Sequence, residues 1–151
     1  LDEADETLTV DLSGAVTVPT GDAVELAAIV DDDAEPLLNI TSPTTAEGNA
    51  GTTPMTFTVT LSSASGRTVT VNYAAAGVTA ASGADFAAAS GTLTFAPGDT
   101  SQTVTVLVNG DLLDEANETL TVSLTSPTNA TLGAAVGTGT ITDDDATPTL
   151  S

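Results

Sequence analysis

Carboxylates are almost the only ionisable side chains in this sequence, and they come in runs. There are 21 aspartates and glutamates against a single base, Arg67, for a formal charge of −20 at neutral pH. Three aspartates stand together at Asp31-Asp32-Asp33 and again at Asp143-Asp144-Asp145. Charges that close repel one another unless water or a cation separates them. Carboxylate oxygens are hard ligands and select Ca²⁺ or Mg²⁺ over softer metals. Cysteine, histidine and lysine are absent. That excludes disulfides, thiolate or imidazole metal sites, a Ser-His-Asp relay and a lysine–asparagine isopeptide staple. One base against 21 acids cannot neutralise a run of phosphates, which argues against nucleic acid and anionic membrane faces as partners.

The acids recur because the sequence recurs. Leu1 to Asn39 overlies Leu113 to Ser151 without a gap at a shift of 112 residues, and 20 of the 39 aligned positions are identical. Leu1-Asp2-Glu3-Ala4 returns as Leu113-Asp114-Glu115-Ala116, and Glu6-Thr7-Leu8-Thr9-Val10 as Glu118-Thr119-Leu120-Thr121-Val122. A period of that length suits one small domain per repeat. The expected organisation is the end of one repeat at 1–35, a complete repeat at 36–145, and a linker with the start of the next at 146–151.

The elements that must position these acids are strands. Met55, Phe57, Val59 and Leu61 alternate with Thr56, Thr58 and Thr60. The same beat runs through Val69, Val71 and Tyr73, then Leu93 and Phe95, then Val104, Val106 and Val108, and then Leu120, Val122 and Leu124. Alternating apolar and β-branched polar residues make strands with one buried and one wet face. Turn residues separate them at Ser65-Gly66, Ser82-Gly83-Ala84-Asp85, Ala96-Pro97-Gly98-Asp99, Asn109-Gly110-Asp111 and Ser126-Pro127. Further strands are expected near 38–41, 79–80 and 136–142, about seven in the full repeat. No helical stripe is present, and no apolar run approaches the roughly 18 residues of a membrane-spanning helix. The fold class that follows is all-β, an immunoglobulin-like antiparallel β-sandwich. Residues 1–33 carry only two strands, about 6–12 and 24–30, which need company from elsewhere.

Residues 36–145 resemble the Calx-β motif of sodium–calcium exchangers, an integrin cytoplasmic region and long repetitive bacterial surface proteins. Four pieces carry the resemblance, in order: Ala46-Glu47-Gly48; Ser82-Gly83-Ala84-Asp85-Phe86 with Ser90-Gly91-Thr92-Leu93-Thr94-Phe95; Gly110-Asp111 through Glu118-Thr119; and Gly139-Thr140-Ile141-Thr142 leading into Asp143-Asp144-Asp145. The resemblance implies a seven-stranded sandwich. In calcium-binding members, acids from several loops meet at one end. The corresponding positions here are Glu47, Asp85, Asp111, Glu115, Glu118, Asp143, Asp144 and Asp145, and the implied cofactor is Ca²⁺. Gly110 departs from members that carry a second aspartate there. Asp2 and Asp114 fall outside the usual ligand set. Glu3, Glu6 and Asp31 to Asp33 form half a site, lacking counterparts of Glu47, Asp85 and Asp111.

Other signals are weak. Asn39, Asn117 and Asn129 stand in glycosylation triplets that a threonine-rich chain produces by chance. Gly137-Thr138-Gly139 lacks the further glycine, helix and base of a phosphate loop. Arg67 opens a strand, where pairing with an acid is the simplest role. Paired carboxylates such as Glu115 and Glu118 could cleave sugars, but a chain with no Trp and one Tyr offers almost no platform to hold one; an enzyme is not expected. The expected role is a calcium-stiffened spacer in a large extracellular or cell-surface adhesin or filament, with neighbouring repeats or copies of itself as partners. The alternatives are a fibre subunit completed by strands 1–33, and a calcium-sensing regulatory module.

Overall fold

The computed structural model describes residues 1–11 and 24–150 and is all-β over them. Leu12, the expected end of the first strand, lies outside the described residues. No described helix is long and apolar enough to cross a membrane, which does not bear on crossing by strands.

Strands β1 (Glu6–Asp11) and β2 (Val24–Ile29) form a two-stranded antiparallel sheet with Glu6 opposite Ile29. The remaining strands build a two-sheet sandwich. They are β3 (Leu37–Ile40), β4 (Thr44–Ala46), β5 (Gly51–Leu61), β6 (Val69–Gly77), β7 (Ser90–Phe95), β8 (Ser101–Gly110), β9 (Glu118–Thr128), β10 (Thr131–Leu132) and β11 (Val136–Thr142). One sheet has the order β10-β3-β5-β8 and the other β4-β11-β9-β6-β7. Seven long or medium strands match the expected number; β4 and β10 are short additions. The main ladders are antiparallel, but β4 pairs with β11, and β10 with β3, in parallel. The first segment of the domain thus begins in one sheet and crosses to the other. Residues 79–80 form no strand: the N–H groups of Val78, Thr79 and Ala80 all donate to the Thr119 carbonyl, at 3.0, 3.1 and 3.1 Å, which folds this stretch into a loop over β9.

The alternation read from the sequence becomes the core. Met55, Phe57 and Val59 of β5 are fully buried, as are Val69 and Val71 of β6, Phe95 of β7, Val106 and Val108 of β8, and Leu120 and Val122 of β9. The intervening threonines face outward. Phe86, between β6 and β7, is also fully buried. It is held by an isolated bridge to Val108. β11 makes room for these large residues with glycine. A Cβ at Gly139 would lie 2.8 Å from Phe57 Cζ and closer still to the Met55 sulfur.

This close approach is testable. Replacing glycine by alanine in a strand ordinarily stabilises by about 0.4–1 kcal/mol through the unfolded chain. Gly139→Ala should instead destabilise by about 1–3 kcal/mol, because the methyl group overpacks the core. Urea unfolding checks the sign, and a more stable variant would show that β11 does not press on Phe57.

Candidate metal centre

Parallel pairing of β4 with the end of β11 sets the site. Ala46 lies opposite Thr142, so the residues that follow the two strands, Glu47 and Asp143, emerge side by side. The Glu47 N–H donates to the Thr142 carbonyl at 3.2 Å, and the Glu47 carbonyl accepts from Thr53 Oγ1 at 2.8 Å. The aspartate run then folds against the loop after β4. Gly48 N–H donates to Asp144 Oδ1 at 3.0 Å, and Asn49 Nδ2 donates to Asp145 Oδ1. Asp143 N–H donates to Asn117 Oδ1 at 3.1 Å, and Asp145 N–H to Asp143 Oδ1 at 3.2 Å. One oxygen from each of Glu47, Asp143 and Asp145 falls within 4.8 Å of the others.

A second group adjoins the first. Asp85, Glu115 and Glu118 also bring one oxygen each within 4.8 Å of one another. Asp85 is placed by its buried neighbour Phe86 and by its backbone: its N–H donates to the Ala81 carbonyl at 2.9 Å, and its carbonyl accepts from Asn109 N–H at 2.8 Å. Glu118 opens β9, and Glu115 lies in the loop after β8. Glu115 repels both Glu47 and Glu118, so its charge is felt in both groups.

Six of the eight residues expected from the sequence therefore gather in two groups. The other two flank them. Asp111 accepts Leu113 N–H at 2.7 Å and raises the energy of ionised Glu47 and Asp145 by repulsion. Asp144 is exposed and accepts the Gly48 N–H.

The electrostatics record this crowding. Glu47 is only 5% exposed, and its pKa is raised from the ordinary 4.5 to about 7. Burial is the largest cause, followed by the charges of Asp111, Asp143 and Glu115 and a hydrogen bond with Asp143. Glu118 is raised by burial, then by a hydrogen bond to Asp85 and by the charges of Asp85 and Glu115. Asp145 is raised by burial and by Asp143, Asp144 and Asp111, against the lowering effect of Asn49. Its Oδ2 atom is buried without a hydrogen-bond partner. An orphaned carboxylate oxygen beside two more carboxylates fits a hard divalent cation, which takes six to eight oxygens.

Asn49 escaped the sequence reading: its amide holds Asp145, and its only signal is its place two residues after Glu47. Asn117, noted above only for its glycosylation triplet, accepts the Asp143 N–H beside the expected ligand Glu118. The departure at Gly110 has a steric reason. A Cβ there would lie 2.8 Å from the Glu47 carbonyl and closer still to that of Gly48, so an aspartate cannot occupy this position while the Glu47 loop sits where it does.

Strand ends in the first segment are built alike. Asp31 N–H donates to Asp5 Oδ1 at 2.9 Å and Asp33 N–H to Asp31 Oδ1 at 3.3 Å, which repeats the Asp143–Asn117 and Asp145–Asp143 bonds 112 residues earlier. Among the described residues nothing like Glu47 or Asp85 joins them, and the two groups above are where three acids converge. Of the glycosylation triplets, Asn129 donates through Nδ2 to the Thr68 carbonyl at 2.8 Å, which occupies the nitrogen a glycan would need.

Comparison with known proteins follows the same lines. A sequence profile described as "Calx-beta domain" matches residues 31–145, well over half of the chain. No curated protein matches significantly. Among solved structures, the apo-form Calx CBD1 domain is similar with a TM-score of 0.63 at 23% identity, covering 72% of this chain and 99% of that one. CBD12 from CALX1.2 gives 0.66 at 25% identity, and the calcium binding domain CBD12 of CALX1.1 gives 0.65 at 25%. Each of these covers 72% of this chain, which spans 45% and 46% of theirs.

The raised carboxyls predict a pH dependence. Folded Glu47 binds its proton more tightly than unfolded Glu47, so its contribution to stability is greatest at low pH and falls as pH climbs from about 4.5 to about 7. Glu118 and Asp145 act in the same direction. In chelator, Tm at pH 5 should exceed Tm at pH 8, and Glu47→Gln should flatten the difference. A Tm that rises over this range would contradict the crowding.

Proposed function

The chain belongs to the Calx-beta domain family, and from that premise we propose that it is a calcium-binding structural repeat whose acidic end fixes the direction of the outgoing chain. The observation that carries this reading is the convergence of Glu47, Asp143 and Asp145 beside Asp85, Glu115 and Glu118, with Asp145 Oδ2 left unpartnered. Bound Ca²⁺ would supply the positive charge that lets these carboxylates stay ionised together. The chain's own residues do the rest. Asp143 to Asp145 connect β11 to the exit segment, and Asp144 and Asp145 grip Gly48 and Asn49 of the neighbouring loop. Pro148, like Pro36 before it, then restricts the linker.

The 112-residue repeat supports an array of such units, with neighbouring repeats or other copies as partners. We place that array outside the cell or on its surface, where a millimolar ion meets modules with Kd of about 10⁻⁴–10⁻³ M. Binding, rather than catalysis, is the role the carboxylates serve.

Two further readings each have an observation in their favour. A sensing module fits the likeness to a CALX1.1 structure described as a calcium binding domain. A fibre subunit joined by strand addition fits the open apolar face of the β1–β2 hairpin. Leu8 and Val10 are 42% and 49% exposed, while their counterparts Leu120 and Val122 are fully buried.

Thermal unfolding of the full chain in chelator and in rising Ca²⁺ tests the proposal. At a hundredfold excess over Kd, binding to the folded form alone adds about 2.7 kcal/mol, a rise of roughly 10 °C for a domain of this size. The combined Glu47→Gln and Asp145→Asn variant should lose that rise. No shift up to about 10 mM Ca²⁺ would overturn calcium binding, and a micromolar midpoint would favour sensing over a structural spacer.

A further inference from the structure

The first segment is not loose on the sandwich; it is docked through Asp2. Asp2 is 5% exposed and bridges in parallel to Ser65, which is 1% exposed, in the loop between β5 and β6. Ser65 Oγ donates to Asp2 Oδ2 at 3.0 Å, and Gly66 N–H donates to the Asp2 carbonyl at 2.9 Å. Arg67, the one cationic side chain of the protein, lies 3.9 Å from Asp2 Oδ1. Gly66 is needed for this approach, because a Cβ there would lie 2.9 Å from Glu3 Cγ and 3.3 Å from the Asp2 carbonyl oxygen. A buried carboxylate is costly unless hydrogen-bonded and paired. Asp2 is both.

Asp114 is the repeat counterpart of Asp2, set in the same Leu-Asp-Glu-Ala sequence, ahead of a hairpin in the same register: Glu118 faces Ile141 as Glu6 faces Ile29. Yet Asp114 is exposed, and among the described residues it makes no hydrogen bond or ion pair. A second difference points the same way. Leu150 is wholly exposed at 106%, whereas its counterpart Leu38 is wholly buried in the core. Ala146, Pro148 and Leu150 repeat Ala34, Pro36 and Leu38, so the exit segment reads as the entry to another sandwich.

We propose that Asp114 is a docking residue for a further copy of this unit, receiving that copy's Ser65-Gly66-Arg67 loop as Asp2 receives it here. The sequence separation of the contact, 63 residues, is then the same at each junction. Because Asp114 adjoins Glu115, one loop carries a metal-group carboxylate and a residue that grips the next unit. The junction is a polar clasp, with calcium beside it rather than within it. This inference rests on the array reading above.

The absence of cysteine permits a clean test. Residues 40–151 are appended after Ser151, keeping the repeat in phase, and two cysteines are introduced: Asp114→Cys, and Ser65→Cys in the appended copy. Under mild oxidation this pair should form a disulfide roughly tenfold faster than a control pair using Leu112→Cys, because docking raises the local concentration of the correct partner. Asp2→Cys with Ser65→Cys in the original chain reports the junction already seen. If that pair links and the Asp114 pair does no better than control, the proposal is overturned and the Asp2 contact stands. If neither links, both junctions are overturned. The calcium-induced rise in Tm of the same lengthened chain reports the metal centre separately, so failure of one reading is distinguishable from failure of the other. Asp114→Ala should leave that rise unchanged while increasing the spread of inter-unit angles in small-angle scattering.

Discussion

Like charges held a few ångströms apart in partly buried surroundings raise one another's energy, and only a rigid frame keeps them together. Here the frame is the pairing of β4 with β11. Three register pairs, Thr44 with Thr140, Thr45 with Ile141 and Ala46 with Thr142, are enough to bring Glu47 beside Asp143. Behind them lies a close-packed core whose glycines, above all Gly139, let Met55 and Phe57 approach β11. Crowding and burial make the ionised acidic end costly taken alone, and burial of the apolar core offsets that cost.

Much of this was legible in the sequence. Strict alternation at Met55 to Leu61 and at Val104 to Val108 marks which residues enter the core, because a strand has no other way to bury one face. The acids of the site were legible only by likeness to a family. Asp85 and Glu118 are 33 residues apart, and nothing local says that their carboxyls meet. The parallel pairings were not legible at all: β4 has three residues and no apolar beat, and its partner is set by the crossing of the first segment from sheet to sheet. Residues 79–80 failed as a strand for a related reason. Their N–H groups converge on one carbonyl of β9, a tertiary contact that alternation cannot report.

The repeat shows how far context decides the fate of a residue. Leu8 and Leu120 occupy equivalent positions of equivalent hairpins, one open and one at the centre of a core. The two stretches have also diverged on an inward position: Gly139 corresponds to Ala27. A sandwich built on β1 and β2 therefore needs a smaller neighbour where this one has Met55. The register of the hairpin and the hydrogen bonds of its aspartate run are retained, while the core around it is free to vary.

The crossing of the first segment has a mechanical consequence. The chain enters the sandwich through β3 and β4 and leaves it through β11, and β4 and β11 run in the same direction. Tension on the two ends pulls these neighbours past each other along their lengths. Their ladder is therefore loaded in shear, where all its hydrogen bonds resist at once, rather than being unzipped one bond at a time.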